Sequence, residues 1–364
     1  MRIAYYHEWG EGGKSGVFKK IVAQVNEWAR QGHEVAIFNL SMQDTAGEWR
    51  AALSPEVKLY QTVWPGRVAR FVLMNRVVGA IVRWQPDIIY WRFGPYYPML
   101  ERMFNAAPVV SEHNGNDLVQ ARNGPRHRYW YVLATQRRAI ARLHGGVFVG
   151  HEFANFPAFS ALKKIVLPNG INLSDFDSLP APDNAQPHLI FVGQPGINAH
   201  GLDKIVLLAR HFPAWRFDLV GPTSDDFIES LPENVTAHGR MVEHDYLPLM
   251  AQADIAIGML ALHRREVDEV STLKTLEYAA RGLPFIMGGK DTNFMPPPEF
   301  ILELPNTESN VSDNIEQIER FVRAQIGRRV PRAAIQHIDI RHIEQQRLDF
   351  LASVLAKSRQ VVAN

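Results

Sequence analysis

The chain has 364 residues, of which 46% are hydrophobic and 21% are charged, an ordinary balance for a globular protein. This length exceeds what one hydrophobic core usually organises and predicts two domains of about 150–180 residues each. The sequence contains no cysteine, so disulfides, thiolate metal sites and cysteine nucleophiles are excluded.

The net charge of +1 hides an uneven distribution. Residues 1–165 hold 21 Lys and Arg against 12 Asp and Glu, whereas the remaining residues hold 18 against 26. The basic half favours an anionic partner, such as a phospholipid surface, a lipid diphosphate or a nucleic acid. No stretch reaches the roughly 18–20 apolar residues that span a bilayer, and MRIAYYHEWGEGG does not resemble a signal peptide. We therefore predict a cytoplasmic protein, with the inner face of the membrane as an alternative location.

The first half alternates the patterns of strands and helices. A buried strand at 2–6 precedes a glycine-rich loop, and apolar residues at helical spacing predict a helix over about 16–31 that ends at Gly32. Further strands are predicted at 34–40, 57–61, 87–92, 107–111 and 145–149. This alternation predicts a parallel, doubly wound α/β sheet.

The segment 166–187 is rich in Pro, Asn and Asp, which predicts a linker between a first domain at 1–165 and a second at 188–335. In the second domain, strands are predicted at 188–193, 216–220, 234–237, 254–258 and 284–287. Helices are predicted at about 201–211, 244–252 and 271–281, and a long helical pattern covers about 334–357.

The most informative segment is EVSTLKTLEYAARGLP, residues 269–284. Ser271 is a predicted helix cap, and a helix that starts at Ser271 or Thr272 and continues through Leu273 presents free backbone N–H groups. Such a helix end binds a diphosphate, and Lys274 adds a formal positive charge to it. Glu277 follows about 4.5 Å further along the axis, where a carboxylate can accept hydrogen bonds from a ribose. The alternative is a surface helix with a Lys274–Glu277 ion pair.

This segment resembles the Glu–seven residues–Glu signature of retaining GT-B glycosyltransferases, especially glycosyltransferase family four. GEGGKSG after the first strand, LPNGINLSDF at the hinge and FVG at the start of the second domain are also similar to that fold. The resemblance implies two facing Rossmann-like domains with parallel sheets and an interdomain cleft. It also implies that a C-terminal helix at about 336–360 returns to the first domain.

The resemblance also implies roles for single residues. Glu277 would bind the donor ribose, Lys274 the donor phosphate, and Glu269 the transferred sugar. Gly12 and Gly13 would let the backbone approach the diphosphate or the acceptor. The loop that contains Arg240, Met241 and Val242 would contact the nucleobase.

Two positions depart from the family pattern. Where the family has Arg and Lys after the first strand of the second domain, this chain has Gln194 and His200. Neutralisation of the phosphate then depends on Lys274 and the helix end, with Arg264 or Arg265 as further candidates. Glu269 lacks the glycine that often follows it, which leaves Glu266 or Asp268 as substitutes.

A second polar cluster, SEHNGND, follows the predicted strand at 107–111. Polar groups at the carboxyl end of a parallel strand point toward a ligand. The resemblance implies that His113 contacts the donor sugar. An inverting enzyme would instead need a carboxylate base, for which Glu112 and Asp117 are the candidates. The alternative is a loop held by its own hydrogen bonds.

Two stretches, 64–84 and 121–142, combine arginines with Trp, Tyr and Phe and contain no acidic residue. One interpretation is a membrane-surface patch that meets a lipid-linked acceptor, and the other is two solvated helix faces. No nucleic-acid motif accompanies them, so we expect no nucleic-acid partner. The glycine-rich loop lacks the first glycine of a nucleotide-hydrolase loop, because that position is Glu8.

Together these patterns predict a glycosyltransferase that moves a sugar from a UDP- or GDP-sugar to a hydroxyl of a sugar or lipid-linked acceptor, with retention and without a metal or other required cofactor. Cell-surface polysaccharide or glycolipid assembly is the predicted context. The alternatives are a non-catalytic sugar-nucleotide-binding or assembly protein of the same fold, and a nucleotide-sugar epimerase or phosphorylase.

Overall fold

A computed structural model describes residues 1–13, 15–115, 121–122 and 124–363, with the backbone alone at 67, 68 and 361–363. The chain forms two compact units, the first made of Met1–Gly170 with the segment from Ile340, and the second of Ile171–Asp339. Among the described residues, no helix is both long enough and apolar enough to cross a bilayer.

The first unit is built on a seven-stranded parallel sheet in the order β3-β2-β1-β4-β5-β6-β7. Its strands are β1 (Arg2–His7), β2 (Glu34–Ser41), β3 (Lys58–Val63), β4 (Ile88–Arg92), β5 (Val109–His113), β6 (Gly145–Phe148) and β7 (Lys164–Val166). Its helices are α1 (Gly16–Arg30), α2 (Ala46–Ala52), α3 (Arg67–Trp84), α4 (Glu101–Phe104), α5 (Arg126–Ala141) and α6 (His151–Ala154). Because β1 and β2 are buried on both sides, their sequences are nearly continuous apolar runs.

The second unit is built on a six-stranded sheet in the order β10-β9-β8-β11-β13-β15. These strands are β8 (His188–Val192), β9 (Arg216–Val220), β10 (Val235–Gly239), β11 (Ile255–Ile257), β13 (Phe285–Gly288) and β15 (Ile301–Leu304). A separate parallel pair joins β12 (Glu269–Val270) and β14 (Lys290–Asp291). The helices are α7 (Leu202–His211), α8 (Glu243–Gln252), α9 (Leu273–Arg281) and α10 (Ile315–Gln325). In both sheets the order reverses beside the first strand, as in Rossmann folds.

Residues 171–187, which the sequence analysis assigned to a linker, belong to the second unit. Ile171 and Leu173 are buried in its core. The amide of Leu179 donates to the carbonyl of Arg281 at the end of α9, at 2.9 Å. The Pro- and Asn-rich composition therefore reflects an irregular path along the unit's surface.

The last helix, α11 (Ile340–Ala363), packs in the first unit. Leu348, Leu351 and Val354 enter the same core as α1. Glu344 on α11 accepts a hydrogen bond from the indole of Trp28 on α1, at 2.9 Å. The preceding residues Arg332–Ile338 form a 3₁₀ helix in the second unit, so α11 begins a few residues after the position predicted from sequence.

Candidate functional site

The carboxyl ends of β8 and β11 meet at the point where the strand order of the second sheet reverses. Open α/β sheets bind ligands at this edge. Tyr278 of α9 joins the two strands there, because its buried hydroxyl contacts the amide of Val192 at 2.8 Å and the carbonyl of Ile257 at 3.2 Å. The helix α9 is thus anchored at the point where the strand order of the sheet reverses.

The amino end of α9 is capped by Thr272, which corrects the prediction that Ser271 is the cap. Thr272 Oγ1 accepts from the amide of Thr275 at 3.3 Å, whereas Ser271 Oγ accepts from Asn293 Nδ2 at 2.8 Å. In the described part of the chain, no group accepts from the amides of Leu273 and Lys274. These two N–H groups remain to bind an anion.

Lys274 turns its amine inward beside this helix end. The Nζ atom is buried and has no hydrogen-bond partner among the described residues. It lies 4.2 Å from the ring centroid of Phe191, the residue before the end of β8. Burial lowers the pKa of Lys274 to about 7, because a charged amine is costly away from water. A buried amine without a counter-charge is a candidate group for binding an anion.

Gly193, just after β8, makes room for this amine. A Cβ atom at this position would lie 2.8 Å from Lys274 Nζ and 2.5 Å from the ring of Phe191. The carbonyl of Gly193 also leaves no space for a side chain at Gly221, where a Cβ atom would lie 1.6 Å away. The two glycines therefore keep the loops after β8 and β9 in close contact beside the amine.

His200 also lies against Gly193, where a Cβ atom would be 2.8 Å from its ring, and it contacts Phe191 edge to face at 5.0 Å. Burial, together with the nearby charges of Lys274 and Arg265, lowers the pKa of His200 to about 3. The imidazole is therefore neutral near neutral pH and adds no charge to the site. Gln194 is exposed in the adjoining loop.

Glu277 lies one turn further along α9 and is half-buried. Its Oε1 atom accepts a hydrogen bond from the hydroxyl of Tyr246 on α8, at 2.8 Å. Burial and the Glu277 carboxylate both raise the pKa of Tyr246, so this hydroxyl stays protonated and donates. Glu277 does not form the predicted surface pair with Lys274, whose amine points into the protein. Sequence reasoning missed Tyr246, because only the packing of α8 on α9 brings it here.

A buried carboxylate, that of Asp291, holds the first turn of α9 in place through hydrogen bonds. Asp291 of β14 accepts from Thr275 Oγ1 at 2.5 Å and from the amide of Asn293 at 2.9 Å. Burial raises the pKa of Asp291 to about 6. This network fixes the first turn of α9 and was not apparent from the sequence.

The other predicted polar residues of this unit differ in whether they are buried, exposed or already paired. Glu269 is buried within β12, while Glu266 and Asp268 are exposed, and Asp268 accepts from Asn306 Nδ2 at 2.7 Å. Arg264 cannot serve phosphate as predicted, because its guanidinium binds Asp203 at 2.7 Å and also the carboxylate of Glu308.

Arg265 is exposed and lies close enough to affect the pKa of His200. It remains a candidate for the second cation of the predicted phosphate site. The predicted base-contacting loop, with Arg240, Met241 and Val242, joins the carboxyl end of β10 to α8, and Met241 packs on the core.

No protein-family model and no curated protein matches the chain in sequence. Solved structures match it over nearly its whole length. HepE from Anabaena, in complex with UDP and glucose, is 15% identical, with a TM-score of 0.63 over 97% of this chain and 100% of its own. A glycosyltransferase from Rickettsia africae is 14% identical, with a TM-score of 0.65 over 97% and 98%. The lipopolysaccharide outer core galactosyltransferase WaaB, in its apo form, is 13% identical, with a TM-score of 0.63 over 97% and 99%.

The chain has the GT-B fold. This finding confirms the fold class predicted from sequence, since the match covers both Rossmann-like units. Membership of family four and the retaining mechanism stay predictions, because identities this low establish the fold alone.

In the first unit of this GT-B fold, Glu112 occupies a buried charge cluster. The strand β5 continues to His113, two residues beyond its predicted end, because it pairs with β4 on one side and β6 on the other. Glu112 contacts Lys20 at 2.8 Å and Arg92 at 3.4 Å. Burial alone would raise the pKa of Glu112, but the cations outweigh it and hold the pKa well below its usual range. Such a carboxylate is a poor general base.

His113 lies next to Glu112 in β5 and is also buried. Its ring stacks on Phe148 at 4.5 Å and contacts Ser111 Oγ through Nε2 at 2.7 Å. The third predicted residue of this cluster, Asp117, lies outside the described residues.

The glycine loop after β1 already holds a carboxylate. The amide of Gly13 donates to Glu48 Oε2 at 2.5 Å, and a Cβ atom at Gly12 would lie 2.2 Å from the same carboxylate. The loop therefore presents its backbone to a carboxylate of α2, and its approach to a diphosphate or an acceptor stays a prediction.

Proposed function

We propose that the protein is a glycosyltransferase that moves a sugar from a nucleotide-diphosphate sugar to a hydroxyl acceptor. The observation that carries this proposal is the buried amine of Lys274, which lies without a partner beside the free amides that begin α9. A diphosphate supplies the missing negative charge, and the half-buried carboxylate of Glu277 lies one turn away for the ribose.

The chemistry follows from this arrangement. When the bond between the sugar and the diphosphate breaks, negative charge grows on the leaving phosphate. The α9 amides and Lys274 are fixed where that charge develops, and preorganised donors of this kind stabilise a transition state without reorganising. Glu277 holds the donor in a fixed orientation.

A UDP-hexose is the donor to test first. HepE binds UDP and glucose, and WaaB is a galactosyltransferase by its description. We propose retention of configuration, because the burial and ion pairs of Glu112 disfavour it as the base that an inverting enzyme would need. His113 remains the proposed contact to the donor sugar.

We propose a cytoplasmic enzyme of cell-surface glycan assembly, with a sugar or lipid-linked acceptor and peripheral contact with the membrane. The positive charge of residues 1–165 supports an acceptor that carries a diphosphate or lies among anionic lipids.

Calorimetry with UDP-glucose, UDP-galactose, GDP-mannose and ADP-glucose tests the proposal. We expect the wild type to bind one of these donors, and Glu277→Ala to weaken that binding by about 10–100-fold through loss of charged hydrogen bonds. Glu316→Ala, whose side chain is 93% exposed in the same unit, is the matched control and should bind normally. Absence of binding to the wild type by every donor would refute the proposal.

The small number of cations at the site favours a second candidate function. Gln194 is uncharged and His200 is neutral, so the leaving phosphate receives help from few positive groups. A protein that binds nucleotide sugars without turnover would fit this arrangement. Donor binding with no release of free UDP or sugar, in the presence of acceptor extracts or water alone, would favour that alternative.

A further inference from the structure

Two neighbouring helices of the first unit expose large apolar side chains. On α3 these are Phe71 and Val72, which are 49% and 58% exposed. On α5 they are Trp130, Tyr131 and Leu133, which are 63%, 38% and 43% exposed. In the second unit, by contrast, the exposed large apolar residues lie singly on separate elements. Scattered apolar residues are ordinary, whereas a cluster of this size marks an interaction surface.

The cluster is continuous across the two helices. Tyr97, in the segment between them, contacts Phe71 edge to face at 5.6 Å and stacks on Tyr131 at 5.8 Å. The hydroxyl of Tyr131 donates to the carbonyl of Tyr96 at 2.6 Å, which fixes α5 against this segment. The exposed residues Phe71, Val72, Trp130, Tyr131 and Leu133, together with the buried Tyr97 that contacts both helices, are called the aromatic face below.

The two helices that carry the aromatic face are rich in arginine, and the acidic residues beside them, Glu8 and Glu101, are each paired with an arginine. Neither 64–84 nor 121–142 contains an Asp or Glu. The exposed arginines on the two helices are Arg76, Arg83, Arg126, Arg128, Arg137 and Arg138. Of these, Arg138 pairs with Glu101 at 3.4 Å. The remaining charges make the surface strongly cationic.

The aromatic face adjoins the carboxyl edge of the first sheet. The guanidinium of Arg70 lies over the ring of Tyr97 at 5.1 Å and over Trp64 at 5.7 Å. The same guanidinium pairs with the carboxylate of Glu8, which follows β1. A partner on the aromatic face would therefore sit beside the edge where Rossmann-like units bind ligands.

We propose that the aromatic face docks on an anionic lipid bilayer. Trp and Tyr favour the interface between lipid headgroups and acyl chains, and arginines are attracted to anionic headgroups. The aliphatic side chains of Val72 and Leu133 gain from burial among acyl chains, whereas a nucleic-acid backbone would offer them nothing. The inference rests on the proposed function in one respect, because docking on a bilayer matters for catalysis only if the acceptor is lipid-linked.

Vesicle flotation tests the inference independently of catalysis. We expect the full-length protein to float with vesicles of phosphatidylglycerol and phosphatidylcholine and to stay behind with phosphatidylcholine alone. Raising the salt concentration should weaken binding, because screening acts on exposed charges. Phe71→Ser with Trp130→Ser and Leu133→Ser, and separately Arg126→Gln with Arg128→Gln and Arg137→Gln, should each reduce the partition coefficient at least tenfold.

Matched controls come from the second unit. Leu207→Ser with Ile228→Ser removes exposed apolar groups, and Arg210→Gln with Arg320→Gln and Arg323→Gln removes the same number of charges as the arginine variant. Both controls should bind vesicles as the wild type does, and circular dichroism should show all variants folded.

The inference is overturned if the wild type ignores anionic vesicles, if the controls lose binding as much as the variants of the aromatic face, or if the protein binds an oligonucleotide but no vesicle. Vesicle binding without any donor binding would refute the proposed function and leave the docking surface standing.

Discussion

Both Rossmann-like units bury a lysine at the carboxyl edge of their sheet, but the two lysines have opposite surroundings. Lys20 of the first unit contacts Glu112 at 2.8 Å and Asn114 Oδ1 at 2.6 Å. Lys274 of the second unit lies against the ring of Phe191 and has no hydrogen-bond partner among the described residues. A buried charge is tolerated when it is paired, so the first lysine stabilises the fold. The second costs stability in the ligand-free protein, and the proposed diphosphate ligand would offset that cost.

Replacing each lysine with methionine gives the largest expected difference. Lys20→Met leaves Glu112 short of a cation in a buried cluster, and we expect a loss of about 3 kcal/mol in the free energy of unfolding. Lys274→Met removes an uncompensated amine, so the ligand-free protein should gain about 1 kcal/mol, or about 2–4 °C in Tm for that unit. Thermal unfolding of the ligand-free variants measures both changes.

The same pair separates stability from binding. Lys274→Met should abolish detectable donor binding despite its higher Tm, while Lys20→Met, where it remains folded, should bind the donor as the wild type does. If Lys274→Met destabilises the protein as much as Lys20→Met, then Lys274 is a structural residue, and the argument for a phosphate site is lost.

Donor affinity should depend on pH through Lys274. Burial places the pKa of this amine at about 7 in the ligand-free protein, and a bound phosphate must raise it. Below pH 7 the amine is already charged and the dissociation constant should be constant. Above pH 7 a proton must be taken up on binding, so the constant should rise about tenfold per pH unit until the pKa of the complex is reached.

Calorimetry in two buffers of different ionisation enthalpy measures this uptake directly. With UDP-glucose at pH 8, whose diphosphate has no proton to lose in this range, uptake should approach one proton. A dissociation constant that does not change between pH 6 and 9 would contradict the assignment of Lys274.

The sequence predicted the strands around this site better than the side-chain contacts within it. The strand at 216–220 was predicted at its observed bounds, because Phe217, Leu219 and Val220 are apolar and Gly221 follows them, although the strand also buries Asp218. The strand β5 was predicted to end at residue 111, since Glu112 and His113 are polar. They continue the strand because Lys20, Arg92 and the ring of Phe148 satisfy them inside the unit.

Within the motif, the residue types pointed to a phosphate and a ribose, but the partners of those residues came from distant segments. The cap is Thr272 rather than Ser271, because Asn293 takes the Ser271 hydroxyl. Tyr246 and Asp291 lie 31 residues before Glu277 and 16 residues after Thr275, respectively. No local periodicity reports contacts of this kind, so only the packed structure reveals them.

The smallest expected effect concerns the hydroxyl of Tyr246, whose hydrogen bond distinguishes Glu277 from an ordinary surface glutamate. Tyr246 Oη holds Glu277 Oε1 at 2.8 Å, which fixes the carboxylate plane. Tyr246→Phe keeps the ring in the core but removes this hydrogen bond from the carboxylate, so we expect donor binding to weaken about three- to tenfold. Tyr60→Phe, on the sheet of the first unit, is the matched control.

A double-mutant cycle identifies the cause of that loss. If Tyr246 acts by holding Glu277 against the ribose, then removing the ribose 2′-hydroxyl from the nucleotide should cost Tyr246→Phe less than it costs the wild type. Equal costs would mean that the two groups act independently and that Tyr246 only supports the packing of α8. The comparison of the two units would then rest on Lys274 alone, because Glu277 would no longer be held in place by Tyr246 for the proposed donor.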